Sequence, residues 1–158
     1  MPYERGASGK MNFTVRPMNE KDKPELMEIM RDFYSSPAVY TNGSDEIFSS
    51  DIDACIGENP FLEGFIAEVG GEISGYTMVA KSFSTEFGKT CIWIEDLYIK
   101  EEFRTQGLGK ALIDFVLERY HDCIFRLEVE EENERAIALY KKCGFSVLPY
   151  MEMKKDRE

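Results

Sequence analysis

Ile94-Glu95-Asp96-Leu97-Tyr98-Ile99-Lys100-Glu101-Glu102-Phe103-Arg104-Thr105-Gln106-Gly107-Leu108-Gly109-Lys110 joins a strand to a helix. Its first half ends the run Thr90 to Ile99, the most strand-like segment of the chain, with Ile92, Ile94, Leu97 and Ile99. Its last residues open a helix whose apolar positions Leu108, Leu112, Phe115, Val116 and Leu117 share a buried side. A helix N-terminus has unpartnered N–H groups and the positive end of the helix dipole, so it holds phosphate well. Gly107 and Gly109 remove side chains where backbone must approach an anion, and Arg104 and Lys110 add charge. The spacing is neither GxGxxG nor GxxxxGK[ST]. On these residues alone two readings stand: a phosphate-binding turn, or a capped helix with glycines for close packing.

Upstream, Phe61 to Val69 and Ile73 to Ala80 read as strands joined by a Gly70-Gly71 hairpin turn. Phe13 to Arg16 is a short strand stopped by Pro17. Between them, Leu26, Ile29, Met30 and Phe33 recur at helical spacing from Asp22 until Ser35-Ser36-Pro37. Ser44 then reads as the N-cap of a second helix with Ile47, Phe48, Ile52 and Ile56 on one face. Downstream, Ile124 to Val129 is a strand, and Asn133 starts a helix through Ala136, Ile137 and Tyr140 to Gly144. Phe145 to Leu148 and Met151 to Met153 complete the pattern as a β-hairpin, with Pro149-Tyr150 near its turn. The order β-α-α-β-β-β-α-β-α-β-β predicts an α/β (α+β) fold. Its mixed, mostly antiparallel sheet has six to seven strands and about four flanking helices. A single domain is expected over residues 11–154. Residues 1–10 read as an extension or an expression remnant, and residues 155–158 as a charged tail.

The chain has 158 residues and a formal net charge of −11. That balance argues against nucleic acid as a partner, which requires a basic footprint. It suits a cationic substrate and equally well suits solubility alone. No apolar run approaches the roughly 20 residues of a membrane span. The N-terminus lacks the apolar core of a secretory signal, so a cytoplasmic protein without membrane attachment is expected. Cys55, Cys91, Cys123 and Cys143 form no CxxC or CxH pairing; free core thiols and no metal site are expected. His121, the only histidine, ends a helix, and nothing beside it supports histidine-based nucleophilic catalysis. The acidic run Glu128, Glu130, Glu131, Glu132 and Glu134 reads as a solvated loop and helix start.

Two linked motifs give the chain a resemblance to the GNAT superfamily of N-acetyltransferases. Arg104-Thr105-Gln106-Gly107-Leu108-Gly109 matches its [QR]xxGx[GA] turn, and Asn133, Ala136, Tyr140 and Gly144-Phe145 match its NxxAxxxYxxxGF pattern. A strand separates the two, and the element order agrees from Phe13 to Met153. Glu95-Asp96-Leu97-Tyr98-Ile99 also resembles the branch that acetylates diamines and polyamines.

The resemblance implies an enzyme that moves the acetyl group of acetyl-CoA to a primary amine, a small cationic one, by direct attack in a ternary complex. The backbone of Thr105, Gln106, Gly107, Leu108, Gly109 and Lys110, with Arg104, grips the pyrophosphate. Leu97, Tyr98 and Ile99 lie along the pantetheine where two parallel strands splay apart, and an N–H there suits a tetrahedral oxyanion. Asn133 caps its helix and, with Ala136, touches the cofactor. Tyr140 is the general acid for the leaving thiolate. Glu95 is the general base, directly or through water, with Asp96 the second candidate; strand alternation lets only one face the cleft. The amine enters beside the first two helices, near Asp32, Tyr34, Trp93 and Glu95. Phe33, Tyr40, Asp45, Glu46 and Tyr76 are further carboxylates and rings that suit an ammonium group. A homodimer follows by the same analogy. Two alternatives remain: a protein or peptide acceptor, and a non-catalytic acyl-CoA-binding regulatory module.

Overall fold

The computed structural model describes residues 3–5 and 12–157. The elements are β1 (Tyr3–Arg5), β2 (Phe13–Pro17), α1 (Lys23–Tyr34), α2 (Asp45–Ile56), β3 (Leu62–Val69), β4 (Glu72–Ser84), β5 (Lys89–Ile99), α3 (Leu108–Arg119), β6 (Ile124–Leu127) and α4 (Glu134–Lys142). Six strands form one sheet in the order β1-β2-β3-β4-β5-β6. Every neighbouring pair is antiparallel except β5 and β6, which are parallel and linked through α3.

Alternation along the strands divides the core between two faces. Ile66, Tyr76 and Met78 pack with Leu26, Ile29 and Met30 of α1 and Phe48 and Ile52 of α2. Phe65, Ala67, Val79, Ile92 and Ile94 pack with Leu112, Phe115 and Val116 of α3. Gly70 and Gly71, with φ of +59° and +79°, make the tight turn between β3 and β4 that other residues resist. The Ser44 hydroxyl accepts from the Ile47 N–H at 3.2 Å and starts α2 as expected. Ile47 itself is 51% exposed, contrary to the sequence reading. One helical residue turns the chain by about 100°, so the stripe set by Phe48 and Ile52 leaves Ile47 on its flank.

Both ends of the sheet differ from the expectation. Tyr3–Arg5 adds a strand on β2, in a segment where the sequence reading had none; Met11, the expected domain boundary, lies outside the described residues. The expected hairpin from Phe145 to Met153 is not formed. Phe145 packs against the core, but Val147, Met151 and Met153 are 82%, 88% and 87% exposed. Strand preference expresses packing on a half-buried pleated surface. Those side chains have no such surface, and Pro149 contributes no N–H. Strand β6 likewise stops at Leu127 rather than Val129, where the exposed run of glutamates begins.

A bulge in β5 prepares the site. Met78 pairs with Asp96 and Val79 with Ile94, so Glu95 is an extra residue without a partner on β4. On the other side, β6 pairs only with Cys91 to Ile94. From Glu95 onward β5 has a neighbour on one edge alone.

Candidate active site

The bulge breaks simple alternation and gives the two adjacent carboxylates opposite surroundings. Asp96 is buried beneath α1 and β4, where its carboxylate accepts from the Tyr34 hydroxyl at 2.9 Å and the Tyr76 hydroxyl at 2.7 Å. Burial raises its pKa, while the two phenols act in the opposite direction. Glu95 reaches solvent at the open edge. Its pKa is raised, first by desolvation and then by Asp96, Glu152 and Asp51. Of the two, Glu95 is the carboxylate free to meet a substrate.

The turn after β5 leads into α3. Gly107 precedes α3 with φ of +83°, and no side chain among the described residues caps that helix. The Ala111 N–H donates to the Gly107 carbonyl at 3.0 Å. Thr105 is also left-handed, with φ of +68°, a conformation that costs a non-glycine residue about 1–2 kcal/mol. The two glycines serve different ends. A side chain at Gly107 would meet nothing within 4 Å, so backbone conformation is its reason. A Cβ at Gly109 would lie 3.2 Å from Leu139 of α4, so there glycine allows close helix packing. Arg104 is turned back: its Nε donates to the Ile99 carbonyl at 2.9 Å and its guanidinium lies 5.2 Å from the Tyr98 ring centre. Lys110 pairs with Asp114 at 2.7 Å, one turn along α3. Side-chain charge at this turn is therefore partly committed within the protein. Asn133 caps α4, accepting from the Ala136 N–H at 3.2 Å.

Tyr140 lines an open cavity of about 1010 Å³ together with Trp93, Leu127, Glu128, Phe145 and Glu152. Its ring meets Phe145 edge-on at 6.0 Å. Burial raises the phenol pKa, so the hydroxyl keeps its proton at neutral pH. Glu128 is pushed up to about 7 by desolvation, by a hydrogen bond with Glu152 and by the charge of Glu95. Arg126 lies 4.7 Å from the centre of the Trp93 ring, on the same cavity wall.

A family model described as the acetyltransferase (GNAT) family matches residues 23–145. This chain belongs to the GNAT acetyltransferase family. It is 33% identical over 145 residues to a thialysine N-epsilon-acetyltransferase of Sus scrofa, covering 82% of each chain. Among solved structures, a possible acetyltransferase from Clostridium difficile 630 is similar with a TM-score of 0.78 at 15% identity, over 92% of this chain and 98% of that one. An aminoglycoside N-acetyltransferase in complex with CoA is similar with a TM-score of 0.76 at 16% identity, over 96% and 99%. The GNAT fold and an acetyltransferase activity expected from the two motifs are thus shown.

Within this GNAT frame the expected acceptor residues are dispersed. Tyr34 is joined to Asp96, and Phe33, Tyr76 and Tyr98 pack around it or beside it at the end of α1. Asp32 is exposed there. Trp93 lines the Tyr140 cavity instead, a cavity that neither Asp32 nor Tyr34 borders. Asp45 is held by Arg31 through two hydrogen bonds of 2.9 and 3.0 Å, and Tyr40 is exposed. The sequence reading did not single out Asp51 or Glu152. Asp51, half-buried on α2, has its pKa raised to about 6 by desolvation and then by Asp96. Its signal was present, since Asp51 lies three residues after Phe48 and four before Cys55, on an otherwise apolar helix face. Glu152 was hidden inside a hairpin that does not form.

Proposed function

We propose that this acetyltransferase moves the acetyl group of acetyl-CoA directly to the primary amine of a small cationic molecule. The observation that carries the reading is Glu95, a base placed on the bulge where β5 loses its second neighbour. An alkyl ammonium has a pKa of about 10.4 and is not nucleophilic until it gives up a proton. A carboxylate with a raised pKa is a stronger base, closer to the operating pH, and Glu95 is raised. Once the proton passes to Glu95, directly or through water, the amine nitrogen bonds to the thioester carbon. The negative charge that grows on the carbonyl oxygen is met by an N–H of the open edge from Leu97 to Ile99. As the C–S bond breaks, the sulfur takes the bonding pair and Tyr140 supplies a proton to it, while the second proton lost by the new amide nitrogen returns through solvent to the phenolate. The N-terminus of α3, which has no side-chain cap among the described residues, with Thr105, Gln106 and Gly107 beside it, suits the pyrophosphate.

Two features support a cationic acceptor. Glu95 and Glu128 each have a pKa raised partly by Glu152, and a bound ammonium relieves that repulsion. The Trp93 ring already carries a cation, Arg126, on one face. The name of the pig relative points the same way, to a lysine-type side-chain amine.

CoA release across a panel of polyamines, amino acids, aminoglycosides and peptides, with product masses, tests the proposal. Turnover on a small diamine or a lysine analogue, with Tyr140→Phe slowed but active, supports it. Turnover on peptides alone shifts the acceptor to protein, and tight acetyl-CoA binding without turnover on any of them moves the chain to an acyl-CoA sensor.

A further inference from the structure

Asp96 is 5% exposed, and two elements, α1 and β4, converge on it. Tyr34, the last residue of α1, donates to one oxygen at 2.9 Å. Tyr76 of β4, itself fully buried, donates to the other at 2.7 Å. The Thr77 hydroxyl takes the Asp96 backbone carbonyl at 2.7 Å. All of this clamps the residue immediately after the bulged Glu95. No cation among the described residues pairs with this carboxylate. A buried charge without a counter-charge is costly, and the hydrogen bonds alone do not require it. An asparagine side chain would accept from one phenol and donate to the oxygen of the other. What only the carboxylate supplies is a fixed negative potential beside Glu95.

We infer that Asp96 is a positioning residue: with Tyr34 and Tyr76 it locks the bulge that aims Glu95, and its charge strengthens Glu95 as a base. The inference rests on Glu95 being the general base. The groups whose charge is felt between them and Glu95 are Asp96 on its own strand, Asp51 on α2, Tyr34 at the end of α1, Glu152 in the C-terminal segment and Glu128 after β6. All are acidic, and Asp96 is the buried one held in a fixed geometry. Its charge stands next after desolvation among the causes that raise Glu95.

The base acts when deprotonated, so a raised Glu95 pKa places the acid limb of the kcat/KM profile above the ordinary glutamate value of about 4.3. Removing the Asp96 charge lowers that pKa and moves the limb to lower pH. Removing a phenol takes away a hydrogen bond that favours the ionised Asp96, so less of that charge remains and the limb also moves to lower pH. The test is the pH profile of kcat/KM for the preferred amine at saturating acetyl-CoA, on the full chain. Asp96→Asn is expected to move the acid limb down by about one unit, as a nearby like charge at intermediate dielectric implies. Tyr34→Phe, whose ring stays packed against Phe33 and Phe48, is expected to move it the same way by a smaller amount. A merely structural Asp96 lowers the melting temperature and leaves the limb in place, which overturns the inference. Should Asp96→Asn not fold, an unmoved limb in Tyr34→Phe overturns it equally. Glu95→Gln separates the two levels: loss of the limb upholds Glu95 as the base, whereas a limb that survives removes the reading on which the inference stands.

Discussion

The inner half of β5, up to Ile94, has a hydrogen-bonded neighbour on each side, and the outer half, from Glu95 to Ile99, has one. The inner half also buries Ile92 and Ile94 against α3, while Leu97, Tyr98 and Ile99 are only half-buried. A single extra residue, Glu95, marks the border. The difference teaches how one strand can be divided: apolar burial and full pairing hold the sheet, and a few residues on one backbone edge has no strand beside it among the described residues. The helices repeat the contrast. Asn133 closes the first turn of α4, whereas the first turn of α3 has no side-chain cap.

Substitutions on either side of the border test whether the two halves are separable. The largest effect is expected from Glu95→Gln, which should lower kcat/KM by about 10²–10⁴-fold with an unchanged melting temperature. An unfolded variant would show that the bulge needs the carboxylate for stability. In the inner half, Ile92→Ala should cost about 2–5 kcal/mol in denaturant unfolding, with kcat/KM per folded molecule retained. Loss of turnover in a well-folded Ile92→Ala protein would erase the distinction. At the helix starts, Gly107→Ala forces an alanine into the left-handed region at about 1–2 kcal/mol. It should raise the KM for acetyl-CoA more than that for the amine. Asn133→Ala should have the smallest effect, about 1 kcal/mol of stability from the lost cap. A larger rise in the acetyl-CoA KM than with Gly107→Ala would reverse the ranking of the two helix ends.

What the sequence made legible was local and periodic. The run from Thr90 to Ile99, the glycine turn and the apolar stripe of α3 carry their own spacing, and they placed the strand, the anion-binding turn and the crossover helix. The Asn133 cap and the position of Tyr140 on α4 followed in the same way. The bulge was not legible. A bulge is a property of two paired strands, and nothing in Ile94-Glu95-Asp96 announces that Met78 and Val79 skip a residue between them. Hence alternation predicted that the two acids face apart but not that Tyr34 and Tyr76 would claim Asp96. The C-terminal segment failed for the opposite reason. Its alternation of apolar and polar residues was clear, but alternation forms a strand only against a surface, and Val147, Met151 and Met153 have none.

The placement of Trp93 gives the protein an optical handle. It is the sole tryptophan of the chain, so indole fluorescence excited at the red edge of absorption arises from one wall of the Tyr140 cavity. The guanidinium of Arg126 rests over that ring. A ligand that enters the cavity and moves Arg126 changes the polarity around a single emitter. Binding in that cavity is thereby readable as a shift in emission, without turnover and without any attached dye.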